Sequence, residues 1–174
     1  MAKAAQKIKD MYLNRAEVDV SEAVATSGMI TQFETGYNTQ DRVAMEIHAI
    51  DYWGYNNAFE ALMPGAADAV HLGVTQLYRG GSIPTFASHE GLIDFQRIER
   101  FDITAVGVIF PRSPVRTIMP QPVLAHPASL FAFCQGVGIA TLTRMRCIVH
   151  YKLVDITDDI WQEIWESILI RDRI

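Results

Sequence analysis

Residues 143–154 alternate more strictly than any other stretch of the chain. Met145, Cys147, Val149, Tyr151 and Leu153 fall on one side of an extended backbone, and Arg144, Arg146, His150 and Lys152 fall on the other, with only Ile148 breaking the polar row. A helical repeat would mix the two sets on every face. The stretch is therefore predicted as a half-buried β-strand of about a dozen residues, long for a strand. Other segments repeat the pattern between turn signals. Residues 18–25 and 30–34 flank Ser27-Gly28, while 42–52 set Val43, Met45 and Ile47 against Ala44, Glu46 and His48. Residues 69–78 set Val70, Leu72, Val74 and Tyr78 against His71, Gly73 and Thr75, and Gly80-Gly81 closes that run. Strands are also predicted at 92–101, 103–110 and 130–135. Pro111, Pro114, Pro120, Pro122 and Pro127 confine a short strand at 115–119 to a sheet edge, because proline cannot donate to a central ladder.

Both ends read differently. Residues 2–14 are rich in Ala and Lys, with Ile8, Met11 and Tyr12 at helical spacing, and suit a weak helix or a flexible arm; 58–63 suit one helical turn. Thr157 is placed to cap a C-terminal helix whose first turn holds Asp158 and Asp159, where the helix dipole favours negative charge. Ile160, Trp161, Ile164, Trp165, Ile168 and Leu169 form its apolar stripe. The expected fold is all-β: a single jelly roll, that is, a two-sheet antiparallel β-sandwich of about eight strands. A short N-terminal basic arm or helix (1–16) precedes the sandwich (17–156), and an amphipathic C-terminal helix (157–174) follows it. A chain of 174 residues fits one domain with a core of its own.

Composition narrows the function. Hydrophobic residues make up 49% of the chain and charged ones 20%, on the apolar side for a globular domain, which suits surfaces covered by protein. Arginine supplies all but four of the fifteen basic residues, a bias toward planar multi-donor contacts. A net charge of −5 argues against a whole surface built to bind nucleic acid, although Lys3, Lys7, Lys9 and Arg15 leave room for a local basic arm. Cys134 and Cys147 sit in apolar runs and read as small buried hydrophobes. Charges at Lys7, Lys9 and Asp10 interrupt any signal-peptide centre, and no apolar run is long enough for a transmembrane helix.

Motifs for catalysis are missing. His48, His71, His89, His126 and His150 each stand alone, without the paired spacing of a metal site. Glu46, His48 and His150 are the one set that neighbouring strands could bring to a metal. Ser88-His89-Glu90 cannot form a relay on an extended chain, and Gly80-Gly81-Ser82 lacks the ending of a phosphate loop. Alternation puts Cys147 on the apolar face, away from its flanking arginines. No catalytic, metal or cofactor-binding residue is assigned, no cofactor is expected, and the chain is not expected to be an enzyme. Arg144, Arg146, His150 and Lys152 make a basic stripe with two readings: a solvated face with carboxylate partners such as Glu46 or Glu99, or a contact for a polyanion or an acidic partner subunit.

The run Thr35-Gly36-Tyr37-Asn38-Thr39, the strand from Val43 to Tyr52, the Pro-rich later segment and the final strand from Arg146 to Val154 together resemble single jelly-roll capsid proteins of small icosahedral viruses. The resemblance implies a structural coat protein that self-assembles into pentamers, hexamers or a closed shell, with or without a second coat protein. Such a protein is made in the host cytoplasm and resides in the virion. On that reading Trp161, Ile164, Trp165, Ile168 and Leu169 are candidate assembly contacts, and Lys3, Lys7, Lys9, Arg15, Arg144, Arg146 and Lys152 are candidate polyanion or subunit contacts. The alternatives are a carbohydrate- or receptor-binding jelly roll presenting Trp53, Tyr55 and Phe59, or a cupin-like metalloenzyme.

Overall fold

The computed structural model describes residues 13–38, 40–54, 69–76, 91–99, 101–103, 107–109, 115–138 and 142–171. In chain order its strands are β1 (Asn14–Ser21), β2 (Met29–Gln32), β3 (Val43–Gly54), β4 (Ala69–Thr75), β5 (Leu92–Glu99), β6 (Phe101–Ile103), β7 (Gly107–Ile109), β8 (Val115–Ala125), β9 (Phe131–Val137) and β10 (Arg144–Asp155). Helix α1 (Asp158–Arg171) follows them. One antiparallel sheet has the order β1-β10-β3-β8 and a second the order β2-β9-β4-β5, while β6 and β7 form a separate hairpin. The expected all-β sandwich is thus present. Its pairings nest: β4 with β5 is enclosed by β3 with β8, then by β2 with β9, then by β1 with β10.

The core lies between the two sheets. Val20, Met45, Ile47, Ile50, Tyr52, Met145, Cys147 and Val149 from the first sheet meet Val70, Leu72, Val74, Ala132 and Cys134 from the second, and all are essentially inaccessible. Burial of the two cysteines pushes both thiols up, Cys134 to about 12, which suits their reading as hydrophobes. The second sheet is buried on both faces at its centre. On β4, His71, Gly73 and Thr75 do not form the exposed row that alternation suggests: Gly73 and Thr75 are buried, and Phe133 of β9 closes over Gly73.

Several boundaries depart from the sequence reading, for identifiable reasons. β1 begins at Asn14, so Arg15 and Ala16 stand on a strand rather than in a preceding arm, and the strand ends at Ser21, where Glu22 turns inward. β8 continues past Met119 to Ala125, through Pro120 and Pro122. It does so as an edge strand whose pairing with β3 breaks at the prolines, jumping from Ile118 to Val123. On β3 the core residues change parity, from Met45 and Ile47 to Ile50 and Tyr52, because His48 is the extra residue of a β-bulge. The residues 77–78 of the predicted 69–78 strand, the helical turn at 58–63, Gly80-Gly81-Ser82, Ser88-His89-Glu90, Tyr55, Phe59 and most of the N-terminal arm, with Lys3, Lys7 and Lys9, lie outside the described residues.

Candidate assembly surfaces

The outward face of the first sheet is built in rows that the register fixes. Asp19, Arg146 and Trp53 form one row; Glu17, Ile148, Asp51 and Arg116 the next; Arg15, His150, Ala49 and Ile118 a third. The bulge at His48 is what turns Asp51 outward, away from the core. There its carboxylate, only 3% exposed, accepts Arg116 Nε at 2.5 Å and Nη2 at 2.6 Å, and His150 Nε2 lies 2.9 Å from Oδ2. Arg116, and secondarily His150, hold the Asp51 carboxyl below the usual carboxylate range against the opposing effect of burial.

This geometry corrects the basic stripe. His150 is buried and engaged with Asp51, so it does not belong to a solvated row. Arg146 is held in a fork by Asp19 on β1, at 2.8 and 3.0 Å. Lys152 does stand opposite Glu46, and Arg144 is exposed opposite Ser21. Leu153, expected on the packed side, is exposed near the end of the strand. Glu46 and His48 approach to 3.1 Å, but His150 pairs with Asp51 instead of joining them. Among the described residues, the exposed apolar groups on this face include Trp53, 42% exposed, Ile118, 71% exposed, and Leu124, 42% exposed and opposite Glu46.

Two polar clusters, the first part-buried and the second largely buried, hold the loops and edges. At the edge shared by β5 and β8, Tyr52 donates to Asp94 Oδ2 at 2.7 Å and Thr117 donates to the same oxygen at 3.0 Å, while Gln96 Nε2 donates to Thr117 Oγ1 at 2.9 Å. These bonds staple one sheet to the other. Burial, with Cys147 and Asp94 beside it, pushes the Tyr52 phenol well up, so it remains a donor. At the opposite edge Glu22, 2% exposed, accepts the backbone N–H groups of Gly28, Gly136 and Thr143 at 2.9, 3.0 and 2.8 Å. One carboxylate thereby ties the β1–β2 turn to both ends of the β9–β10 connection.

The chain matches no protein-family model and no curated protein. Its surfaces must be read from their own chemistry.

Helix α1 starts as its sequence predicts: Thr157 Oγ1 accepts the Ile160 N–H at 3.5 Å, and Asp158 and Asp159 occupy the first turn. It docks on the sandwich of its own chain, where β3 begins and β8 ends. The Arg42 guanidinium lies 3.7 Å from the Trp161 ring centre and bonds Asp158 at 2.7 Å, and the His126 ring is 5.0 Å from Trp165. His126 is fixed for this role by accepting the Ala128 N–H on Nδ1 while Nε2 faces the Asp41 carbonyl, and burial lowers its pKa. Trp161, Ile164 and Trp165 are all partly buried, Ile160 is 39% exposed, and the side chains of Ile168 and Leu169 lie outside the described residues. Asp51, Arg116, Asp19, Arg42 and His126 carry no local sequence signal. Their partners are strands apart, and only register could have found them.

Proposed function

We propose that this protein is a jelly-roll coat subunit, a structural protein that self-assembles into a closed viral shell and performs no turnover. The observation that carries the reading is the nesting of the four strand pairs. A long hairpin rolled up so that alternate pairs fall in opposite sheets yields the orders β1-β10-β3-β8 and β2-β9-β4-β5, and double-sheet jelly rolls of this kind build many viral shells. The mixed outer face agrees with it, since Trp53 and Arg116 are residue types that anchor protein–protein contacts and the exposed Ile118 adds apolar surface beside them. Helix α1, docked on its own sandwich, presents Ile160 and a carboxylate-rich face to neighbours. Copies of the same chain are the principal partners, in pentamers, hexamers or closed particles in the virion, assembled in the host cytoplasm.

Electron microscopy and light scattering of the expressed protein test the reading. Closed particles or discrete rings support it. A monomer persisting across protein and salt concentrations refutes it. In that case the exposed Trp53 favours a carbohydrate-binding jelly roll, which glycan-array binding lost in Trp53→Ala would establish.

A further inference from the structure

Four strands border the two sheets, and three of them are ill suited to pairing with another chain. β8 carries Pro120 and Pro122 at a register break, β2 has four residues, and β5 pairs with a register shift at Val74/Thr75. β1 differs. Its eight residues contain no proline or glycine, run in unbroken register against β10, and have no partner strand on the other side among the described residues. Along its outward face the side chains read Arg15, Glu17, Asp19. Asp19 is taken by Arg146, but Arg15 and Glu17 are exposed and neither has an ion-pair partner among the described residues.

We propose that β1 pairs antiparallel with β1 of a second copy of this chain across a two-fold axis through Ala16, joining the two first sheets into one. The register follows from charge. With Ala16 opposite Ala16 of the second copy, Arg15 of each copy faces Glu17 of the other, giving two cross-strand ion pairs. A slip of two residues one way sets Arg15 against Arg15; the other way sets Glu17 against Glu17 and offers Arg15 only Asp19, which already holds Arg146, so both neighbouring registers are penalised. On the inward side, Ala16 and Val18 are partly buried hydrophobics at the rim of the core, and the second strand covers that rim. The interface is isologous, as closed symmetric assemblies require of a two-fold contact. It names one contact of the self-assembly proposed above and so rests on that reading.

Sedimentation velocity over a concentration series, on the whole chain, tests the pairing with three variants. Arg15→Glu and Glu17→Arg each turn both ion pairs into repulsions and are expected to weaken association by roughly tenfold or more. The double variant Arg15→Glu/Glu17→Arg restores the pairs with signs exchanged and is expected to recover wild-type association. Circular dichroism confirms that each exposed substitution leaves the sandwich folded. Particles that form equally well in both single variants overturn the β1 pairing and leave the coat reading standing, as does a double variant that fails to recover. A dimer with this charge pattern and no particles supports the pairing and overturns the shell. A wild-type monomer at every concentration overturns both.

Discussion

Asp51 and Arg116 face each other across β3 and β8, and the carboxylate that Arg116 grips is almost wholly buried while the guanidinium remains half exposed. The pair is asymmetric. Asp51 depends on Arg116 and His150 to remain ionised out of water, whereas Arg116 keeps access to solvent if the bond is lost. With the folded pKa of Asp51 lowered, its contribution to stability is present above the ordinary carboxylate range and is lost as pH falls below about 4 toward the depressed value. Asp51→Asn is expected to destabilise the fold by about 1–3 kcal/mol near neutral pH. It should also remove that part of the acid dependence, which denaturant titrations at several pH values will detect; an unchanged acid limb would contradict the assignment.

Glu22 serves three buried or half-buried backbone N–H groups with one side chain. Glu22→Ala strands all three and is expected to cost about 3 kcal/mol or more, since each unsatisfied buried donor costs roughly 1–3 kcal/mol. Glu22→Gln keeps one carbonyl acceptor and should fall between. Hydrogen exchange should show fast exchange at Gly28, Gly136 and Thr143 in the alanine variant before the sheets themselves open.

Gly73 is required by space alone. A methyl group there would run into the Phe133 ring and lie 2.5 Å from the Asp94 carbonyl oxygen. Gly73→Ala is expected to destabilise by roughly 1–3 kcal/mol through overpacking. Trimming the ring with Phe133→Leu in the same chain should recover part of the loss, and chemical denaturation measures both.

The docked helix predicts a stability effect from its tryptophans. Trp161→Ala with Trp165→Ala removes the ring beneath Arg42 and the ring against His126. Because both are only partly buried, each should cost less than the roughly 3–5 kcal/mol of a fully buried aromatic. Detachment of α1 should appear as lost helical signal with the β signal intact, and a double variant as stable as wild type would place the helix elsewhere.

Period-two patterning was sufficient for most of this fold. The strict alternation of β10 placed Met145, Cys147 and Val149 in the core, the prolines put β8 on an edge, and Thr157 with its two aspartates marked the start of α1. Each of these is a local consequence of backbone geometry, legible wherever the residues lie. The boundaries of β1 and β8 were less legible, because pairing with a neighbour extends a strand past the point where its own pattern fades.

What the sequence by itself determined, then, was the class of fold, the core face of its regular strands and the capped terminal helix. Tertiary structure decided the rest. The bulge at His48 arises from the offset between β3 and its neighbours, and by inverting parity it brings Asp51 outward to Arg116 and buries His150. The pairing of Arg146 with Asp19, separated by more than a hundred residues, and the seat of Trp161 on Arg42 depend on which strands become neighbours and in what register. Alternation states which side a residue faces. It carries no information about what stands across from it, and for the charged groups of this face that partner decides whether a residue is free to meet another molecule.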